Sequence, residues 1–259
     1  MSSILAIASV VIKELYRRKD FYVLFVLTAL ITLLMGSIRF FNDAKIALYL
    51  KDICLLLIWI SALVIAVGTA ARQIPAEREN RTIFPLLAKP VTRGQVIVGK
   101  FAGCWLACGV ALFVFYVFFC VISATREHHW PLVNYLQAMW LQWVMLGIVI
   151  AMVLLGSIVF AAPSSNATIC LIVVVGILLL GRHLHRVAIR EPEPMNTALS
   201  IAYFVIPHLE WYDVRDLVVY DHNAVPWVDC GLATLYGAAY VCFFLYATWL
   251  LFRRKTLTV

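Results

Sequence analysis

The feature that most restricts the fold of this chain is a series of long apolar stretches separated by short charged segments. About twenty consecutive apolar residues in helical conformation are enough to cross the hydrocarbon core of a bilayer. Apolar residues make up 64% of the 259 residues and charged residues only 14%, whereas a soluble domain carries about 25% charged residues. The sequence therefore predicts an all-α membrane protein with six transmembrane helices, rather than a soluble domain whose single core would hold every stretch.

The first residues differ from the stretches that follow. Their apolar side chains recur at helical spacing and leave charged residues on the other faces, which is typical of an amphipathic helix lying in the membrane interface. We expect this helix at 3–19, with apolar positions Ile4, Ile7, Val11 and Leu15. The transmembrane helices are expected at 21–38, 53–71, 101–123, 135–160, 167–186 and 228–252.

The fifth apolar run, 167–181, holds 15 residues, fewer than the ~17–25 that an upright transmembrane helix needs. We expect this helix to include residues from its flanks, to tilt, or to be broken or re-entrant. Residues 163–166 predict an uncharged turn before it. Residues 187–226 form a polar, extracytoplasmic segment, in which the short apolar run 199–206 predicts a surface helix at the membrane face.

Basic residues predict the orientation, since cytoplasmic segments of membrane proteins carry an excess of Lys and Arg. With a cytoplasmic N-terminus, the cytoplasmic segments hold thirteen basic and four acidic residues, and the opposite segments hold eight basic and ten acidic residues. We therefore expect both termini in the cytoplasm and residues 72–100 as a cytoplasmic loop.

Charge and cysteine usage argue against two other kinds of protein. The net charge of +7 does not predict nucleic-acid binding, because Lys and Arg lie at the ends of apolar stretches and not in a groove-binding patch. The seven cysteines show no CxxC spacing and are interpreted as packing residues, with a disulfide among Cys54, Cys120 and Cys230 left open.

Polar side chains within the spans are expected to join helices through hydrogen bonds; they are Ser61, Gln137 and Gln142.

All six histidines fall on the side predicted to be extracytoplasmic. With Glu191, Glu193 and Glu210 nearby, a metal site is one interpretation, since imidazole and carboxylate groups are common metal ligands. The histidine pairs lack the i, i+4 spacing of a helical ligand face, so metal handling is the weaker alternative. The histidines are His128, His129, His183, His185, His208 and His222.

Residues 72–100 interrupt the apolar pattern and have an order of their own. An acid–base cluster at 77–81 precedes a short apolar unit at 83–87, Pro90 breaks the chain, and 91–100 leads back to the membrane. A short helix with apolar and charged sides, held just below the bilayer, would suit docking onto a soluble partner. The segment's basic residues are Arg72, Arg78, Arg81, Lys89, Arg93 and Lys100.

This segment resembles the cytoplasmic loop of ABC-2 type transporter permeases, in which an acid cluster, a threonine, a Leu-Leu pair, a proline, an arginine and a Gly-Lys recur in that order. The resemblance extends to the layout of the whole chain: an elbow helix, six spans, a coupling helix in the first cytoplasmic loop, and the largest outer segment before the last span. The chain is similar to small permeases such as that of the nitrous-oxide reductase maturation transporter. Arg81 departs from the pattern, because many relatives have glycine before the threonine. The resemblance assigns coupling to an ATPase to Glu77, Glu79, Arg81, Thr82, Leu86, Leu87, Pro90, Arg93 and Lys100.

The resemblance implies a permease subunit in the inner membrane of a bacterial cell that exports or extracts a lipidic or amphipathic substrate. Its partners would be a second permease, identical or related, and two ATPase subunits that bind ATP and magnesium. The chain itself would bind no cofactor, and a partner on the extracytoplasmic side stays open. The alternative is a non-transporting scaffold or mechanotransmission subunit of an ATPase complex.

ATP hydrolysis is expected outside this chain. The sequence lacks the GxxxxGK[ST] pattern of a phosphate-binding loop, since Phe101 follows Gly99-Lys100 where that pattern requires serine or threonine. It also lacks HExxH, so no enzyme is predicted. Residues 1–259 are accordingly predicted to form one ABC-2 type transmembrane domain.

Overall fold

A computed structural model of the chain describes residues 3–17, 19–37, 43–79, 92–127, 132–160, 162–188, 195–197, 200, 203, 206–220 and 224–254. Within these residues every regular element is a helix, which confirms the predicted all-α class. The longer helices are α1 (Ser3–Arg17), α2 (Lys19–Ser37), α3 (Asp43–Arg72), α5 (Arg93–Glu127), α6 (Leu132–Val159), α7 (Pro163–Ala188) and α9 (Trp227–Arg254). The short ones are α4 (Pro75–Glu79), a 3-10 helix (Leu209–Tyr212) and α8 (Arg215–Val219).

Four helices within the described residues are long and apolar enough to cross a membrane, namely α3, α5, α6 and α9. Shorter apolar helices, Tyr22–Leu34 and Pro163–Leu179, lie within α2 and α7. The long helices exceed the roughly 20 residues that a bilayer core requires, so each is long enough to cross it with some tilt. A bilayer core accepts helices readily because each helix satisfies its own backbone hydrogen bonds.

The core of the bundle is built around α6, which packs against α3, α5, α7 and α9. Its residues from Met145 to Ala151 are almost entirely without exposed surface. By contrast α2 and α9 bury only one side, and their apolar side chains such as Leu30 and Phe243 are exposed. This distribution is expected of a bundle whose outer helices face lipid rather than water.

Helices α5 and α6 are antiparallel and are joined by polar contacts along their length. The indole nitrogens of Trp105 and Trp143 each donate to the other residue's carbonyl oxygen at 3.0 Å, and their rings stack 4.4 Å apart. Tyr116 donates to Gln142 Oε1 at 3.0 Å. Ser61 contacts Thr28, so Ser61 and Gln142 join helices as predicted. Gln137 instead bonds Val225, which precedes α9 and belongs to no helix.

Helix α7 begins at Pro163 and ends at Ala188. The sequence had predicted a turn at its start, over residues 163–166. Proline at the first helical position lacks only a backbone donor that would have no helical partner there, and its fixed φ suits a helix start. The helix therefore includes residues from both flanks of the short apolar run, one of the expected solutions. The predicted turn at 163–166 is wrong, because these residues form its first turn.

Residues 206–220 fold back onto the end of the bundle opposite the one at which α9 ends. Leu209, Tyr212 and Val218 are buried there, and the Tyr212 hydroxyl donates to the Ala233 carbonyl at 2.7 Å. Burial raises the pKa of Tyr212. Of the surface helix predicted at 199–206, only residues 200, 203 and 206 are described, so the rest of that prediction lies outside the described residues.

All seven cysteines are free thiols. Cys54, Cys104, Cys108, Cys170 and Cys230 are buried among apolar side chains. They therefore pack in the manner predicted, and the disulfide left open among Cys54, Cys120 and Cys230 is not formed.

Candidate coupling site at the basic end of the bundle

At one end of the bundle α3 and α9 end while α5 begins, so that C-terminal carbonyl groups and N-terminal cationic side chains lie close together. We call this the basic end; it carries Arg72, Arg93, Lys100, Arg253 and Arg254. The last carbonyls of a helix have no partner within the helix, and the helix dipole places partial negative charge there. Lysine and arginine are therefore the side chains that such an end favours.

Lys100, a residue of α5, binds the C-terminal end of α3. Its ammonium group donates to the carbonyl oxygen of Gln73 at 2.6 Å and lies 2.7 Å from Glu77 Oε1. The Lys100 side chain is 3% exposed and that of Glu77 is 27% exposed. The ion pair therefore joins a residue of α4, which precedes residues 80–91, to a residue of α5, which follows them.

Arg93, on α5, binds the C-terminal end of α9. Its Nη1 donates to the carbonyl oxygens of Phe252 at 2.7 Å and of Arg253 at 3.0 Å, and its guanidinium lies 5.5 Å from the centre of the Phe252 ring. Next to it in the chain, Gly94 faces Trp249. Since Arg93 is the first residue of α5, the contact joins the start of α5 to the last turn of α9.

Asn166 is a third residue whose side chain donates hydrogen bonds to backbone carbonyl groups of other helices. Its side-chain amide donates to the carbonyl oxygens of Val153 at 3.2 Å and of Ala71 at 3.4 Å, and the Cys170 thiol donates to its Oδ1. Asn166 has no exposed surface and lies against Gly156, where a Cβ atom would clash with the amide oxygen. The first turn of α7 is therefore bonded to the last parts of both α3 and α6.

The amphipathic helix α1 packs along α5 next to these contacts. A Cβ atom built on Gly99 would lie 2.9 Å from the Cβ of Ile7, and one built on Gly103 would lie 2.7 Å from the Cβ of Val11. Only glycine permits this approach, and the pair forms the small-xxx-small spacing that lets helix backbones come close. Lys100 lies between the two glycines in the sequence of α5, so α1 packs on the part of α5 that carries the ion pair.

The predicted coupling residues divide into two groups. Glu77, Arg93 and Lys100 are described and all three lie at the basic end, although Arg93 and Glu77 bind different helices. Glu79 ends the short helix α4, and its side chain lies outside the described residues. The apolar unit and coupling helix predicted beyond it also lie outside them, together with Arg81, Thr82, Leu86, Leu87 and Pro90.

Sequence reasoning missed the residues that these side chains bind. Gln73, Phe252 and Arg253 contribute backbone carbonyl oxygens, a role that no side-chain pattern reveals. Asn166 had a weak signal, because an amide within an uncharged stretch next to a helix start is a residue type that caps helix ends. The uncharged pattern predicted a turn there and assigned Asn166 no contact.

The run Gly94–Lys100, which resembles the start of a phosphate-binding loop, lies within helix α5. Its backbone N–H groups beyond the first turn are used inside the helix, and the Lys100 ammonium is bound to Glu77 and Gln73. The run therefore does not form the open glycine-rich loop that holds nucleotide phosphates.

Of the six histidines considered as metal ligands, His208 has a described side chain, and it lies at the end of the bundle opposite the basic end. His208 Nδ1 lies 3.8 Å from Glu210 Oε1, and both side chains are buried; the imidazole stacks on Tyr203 with ring centres 4.2 Å apart. The other histidine side chains, His128, His129, His183, His185 and His222, lie outside the described residues, as do Glu191 and Glu193. Among side chains that are described, no group of three or more His, Cys, Asp or Glu is arranged to hold a metal ion.

Comparison with known proteins agrees with this architecture. The family described as ABC-2 family transporter protein matches residues 43–255, which is most of the chain, and every contact described above lies within that range except those of α1 and the contact of Thr28 with Ser61. A comparison with curated proteins finds no match. The apolar helices and the family together identify a multi-pass membrane protein, and the chain belongs to the ABC-2 family of transporter permeases.

Proposed function

We propose that this chain is the transmembrane permease subunit of an ABC exporter, driven by ATP hydrolysis in separate ATPase subunits. The observation that carries the proposal is the anchoring of both flanks of residues 80–91 to the bundle. Lys100 binds the end of α3 and Glu77, and Arg93 binds the end of α9. A displacement of the intervening segment would therefore be passed to two helix ends together.

In this proposal the segment 80–91 docks on the ATPase and the anchored residues transmit its movement. Leu86 and Leu87 would supply the apolar contact to the ATPase, with Glu79, Arg81 and Thr82 around it, while Pro90 would fix the return path of the chain. Arg93, Lys100 and Glu77 would act inside the permease. The elbow role of α1 fits its packing across Gly99 and Gly103.

The topology proposed with this function has six spans, with α2 and α7 crossing beside the four long helices. The basic end would face the cytoplasm, in keeping with the positive-inside rule, and the membrane would be the bacterial inner membrane. Two ATPase subunits carrying ATP and magnesium would serve a dimer of this chain, or a pair with a related permease. The permease of the nitrous-oxide reductase maturation transporter is proposed as a similar protein.

The proposed substrate is lipidic or amphipathic, for a reason of polarity. Of the described polar side chains in the spans, Ser61, Gln137, Gln142 and Thr28 bond to other protein groups, and no described Asp or Glu lies at mid-span. An ion pathway generally needs such charged groups inside the membrane.

The experiment separates docking from transmission. The tagged chain is purified gently from its native membranes, the ATPase subunit that accompanies it is identified by mass spectrometry, and ATP hydrolysis is measured in nanodiscs. Leu86→Asp with Leu87→Asp should lose the ATPase subunit. Arg93→Gln should still recover the ATPase subunit. Its rate of ATP hydrolysis in nanodiscs should no longer depend on the permease, because the hydrogen bond from Arg93 to the end of α9 is lost.

The control is Arg254→Gln, which alters an exposed arginine at the same end of α9. It should change neither the recovery of the ATPase subunit nor its ATP hydrolysis. If the chain carries no ATPase subunit even after crosslinking, the proposal is wrong. If the ATPase is recovered together with a stable protein partner at the opposite end and no transport is measured, the mechanotransmission alternative replaces export.

A further inference from the structure

A small cavity lies between α3, α5 and α6 at the end of the bundle opposite the basic end, and residues 212–218 close it. Three helices therefore meet the folded-back segment at one point. Its walls are formed by Leu55, Trp59, Tyr116, Ala138, Gln142, Tyr212, Asp213, Val214, Arg215 and Val218. The space open to the centre of a water molecule is about 10 Å³, which is about what one buried water occupies by that measure.

Two hydrogen-bond donors in the cavity wall have no partner among the described residues. Gln142 Nε2 and Trp59 Nε1 are both buried without a hydrogen bond, although the other end of the Gln142 amide accepts from the Tyr116 hydroxyl. Gln142 is 4% exposed. An unsatisfied buried donor costs about 1–3 kcal/mol, and more where lipid surrounds the protein, so two of them beside one cavity require an acceptor.

The charge of the cavity wall indicates what kind of acceptor fits. Arg215 donates to both carboxylate oxygens of Asp213, at 2.8 and 2.9 Å, and its guanidinium lies 5.2 Å from the Trp59 ring centre. The hydrogen bond to Asp213 raises the pKa of Arg215, so the pair stays ionised and neutral overall. A neutral acceptor is therefore favoured over an anion, which would face the Asp213 carboxylate.

We propose that this cavity is the binding site of a single water molecule, which accepts hydrogen bonds from Gln142 Nε2 and Trp59 Nε1. The oxygens available to receive its own protons are the Tyr116 hydroxyl and the Asp213 carboxylate, both in the wall. A water bound in this way joins α3, α5 and α6 to residues 212–218. It thereby fixes the folded-back segment on the spans through hydrogen bonds rather than through apolar packing alone.

X-ray radiolytic labelling of the full-length protein in nanodiscs tests the site, because radicals formed from bound water oxidise the side chains beside it even where bulk solvent does not reach. A bulk radical scavenger is present throughout, and peptides are read by mass spectrometry. Tyr116 should be oxidised severalfold faster than Tyr135, an equally buried tyrosine that bonds Ser123 away from the cavity. Equal oxidation of Tyr116 and Tyr135 would overturn the proposal.

Two variants tie the labelling to the proposed donors. Trp59→Phe removes the Nε1 donor and keeps an aromatic ring beneath Arg215, and Gln142→Leu removes the amide. In each, oxidation of Tyr116 should fall to the level of Tyr135, whose own rate should not change. Undiminished Tyr116 oxidation in Trp59→Phe, the milder of the two, would show that the donors do not hold the water.

Discussion

Lys100 and Glu77 form an ion pair of 2.7 Å at the basic end of the bundle, with the lysine almost fully buried. An ammonium group in such a place is stable only with partners, because desolvation of a charge is costly. The pairing therefore has a structural consequence, since it joins α4, which precedes residues 80–91, to α5, which follows them.

Glu77→Ala should destabilise the protein by about 3 kcal/mol, because it leaves a buried cation without its carboxylate. Glu77→Gln combined with Lys100→Met should cost less than Glu77→Ala alone, since neither charge then remains. Thermal unfolding in a mild detergent gives both values. Lys13→Met, at an exposed lysine of α1, is the control and should change stability by less than about 0.5 kcal/mol. A double variant less stable than the single one would contradict the assignment.

Gly103→Val should release α1 from α5, because even a Cβ atom there would lie 2.7 Å from the Val11 Cβ and 3.0 Å from the Ala8 carbonyl oxygen. Trypsin should then cleave after Lys13 or Arg17 faster than in the parent protein, which is followed by mass spectrometry of the fragments. Gly68→Ala is the matched control, since the methyl group that it adds would have no other side chain within 4 Å. Cleavage at the same rate in Gly103→Val and Gly68→Ala would show that the close approach does not hold α1.

Asn166→Leu should lower stability by about 2 kcal/mol, because the buried carbonyl oxygens of Ala71 and Val153 lose the hydrogen bonds that the Asn166 amide donates to α3 and α6. Ser165→Ala, at the exposed neighbouring position, should have almost no effect. Thermal unfolding compares the two. An effect of equal size in both would mean that any change at the start of α7 matters, and that the amide bonds do not.

Trp143→Phe should cost about 1 kcal/mol beyond the loss of ring area, because it removes the donor to the Trp105 carbonyl but keeps an aromatic ring in the stack. Trp105→Phe should cost a similar amount, since the two hydrogen bonds are reciprocal. Trp227→Phe, at a position 71% exposed, provides the control for the unfolding measurement. The interpretation would be wrong if all three variants had the same stability.

Local sequence patterns were enough to establish that the chain forms apolar helices and roughly where they lie. A stretch of apolar side chains must satisfy its backbone hydrogen bonds within itself once it is in lipid, so its own residues carry the information. The same local patterns placed Glu77, Arg93 and Lys100 together in one candidate functional segment. They failed at the start of α7, where Pro163 and the polar residues after it suit both a turn and a helix start.

The partners of these residues depend instead on how the helices pack. Arg93 and its acceptor Phe252 are 159 positions apart, and the acceptor is a backbone carbonyl, which every residue possesses. Lys100 pairs with Glu77 because the end of α3 brings that carboxylate and the Gln73 carbonyl to one place. Helix packing contacts such as Gly103 on Val11 likewise join residues that no single stretch of sequence contains.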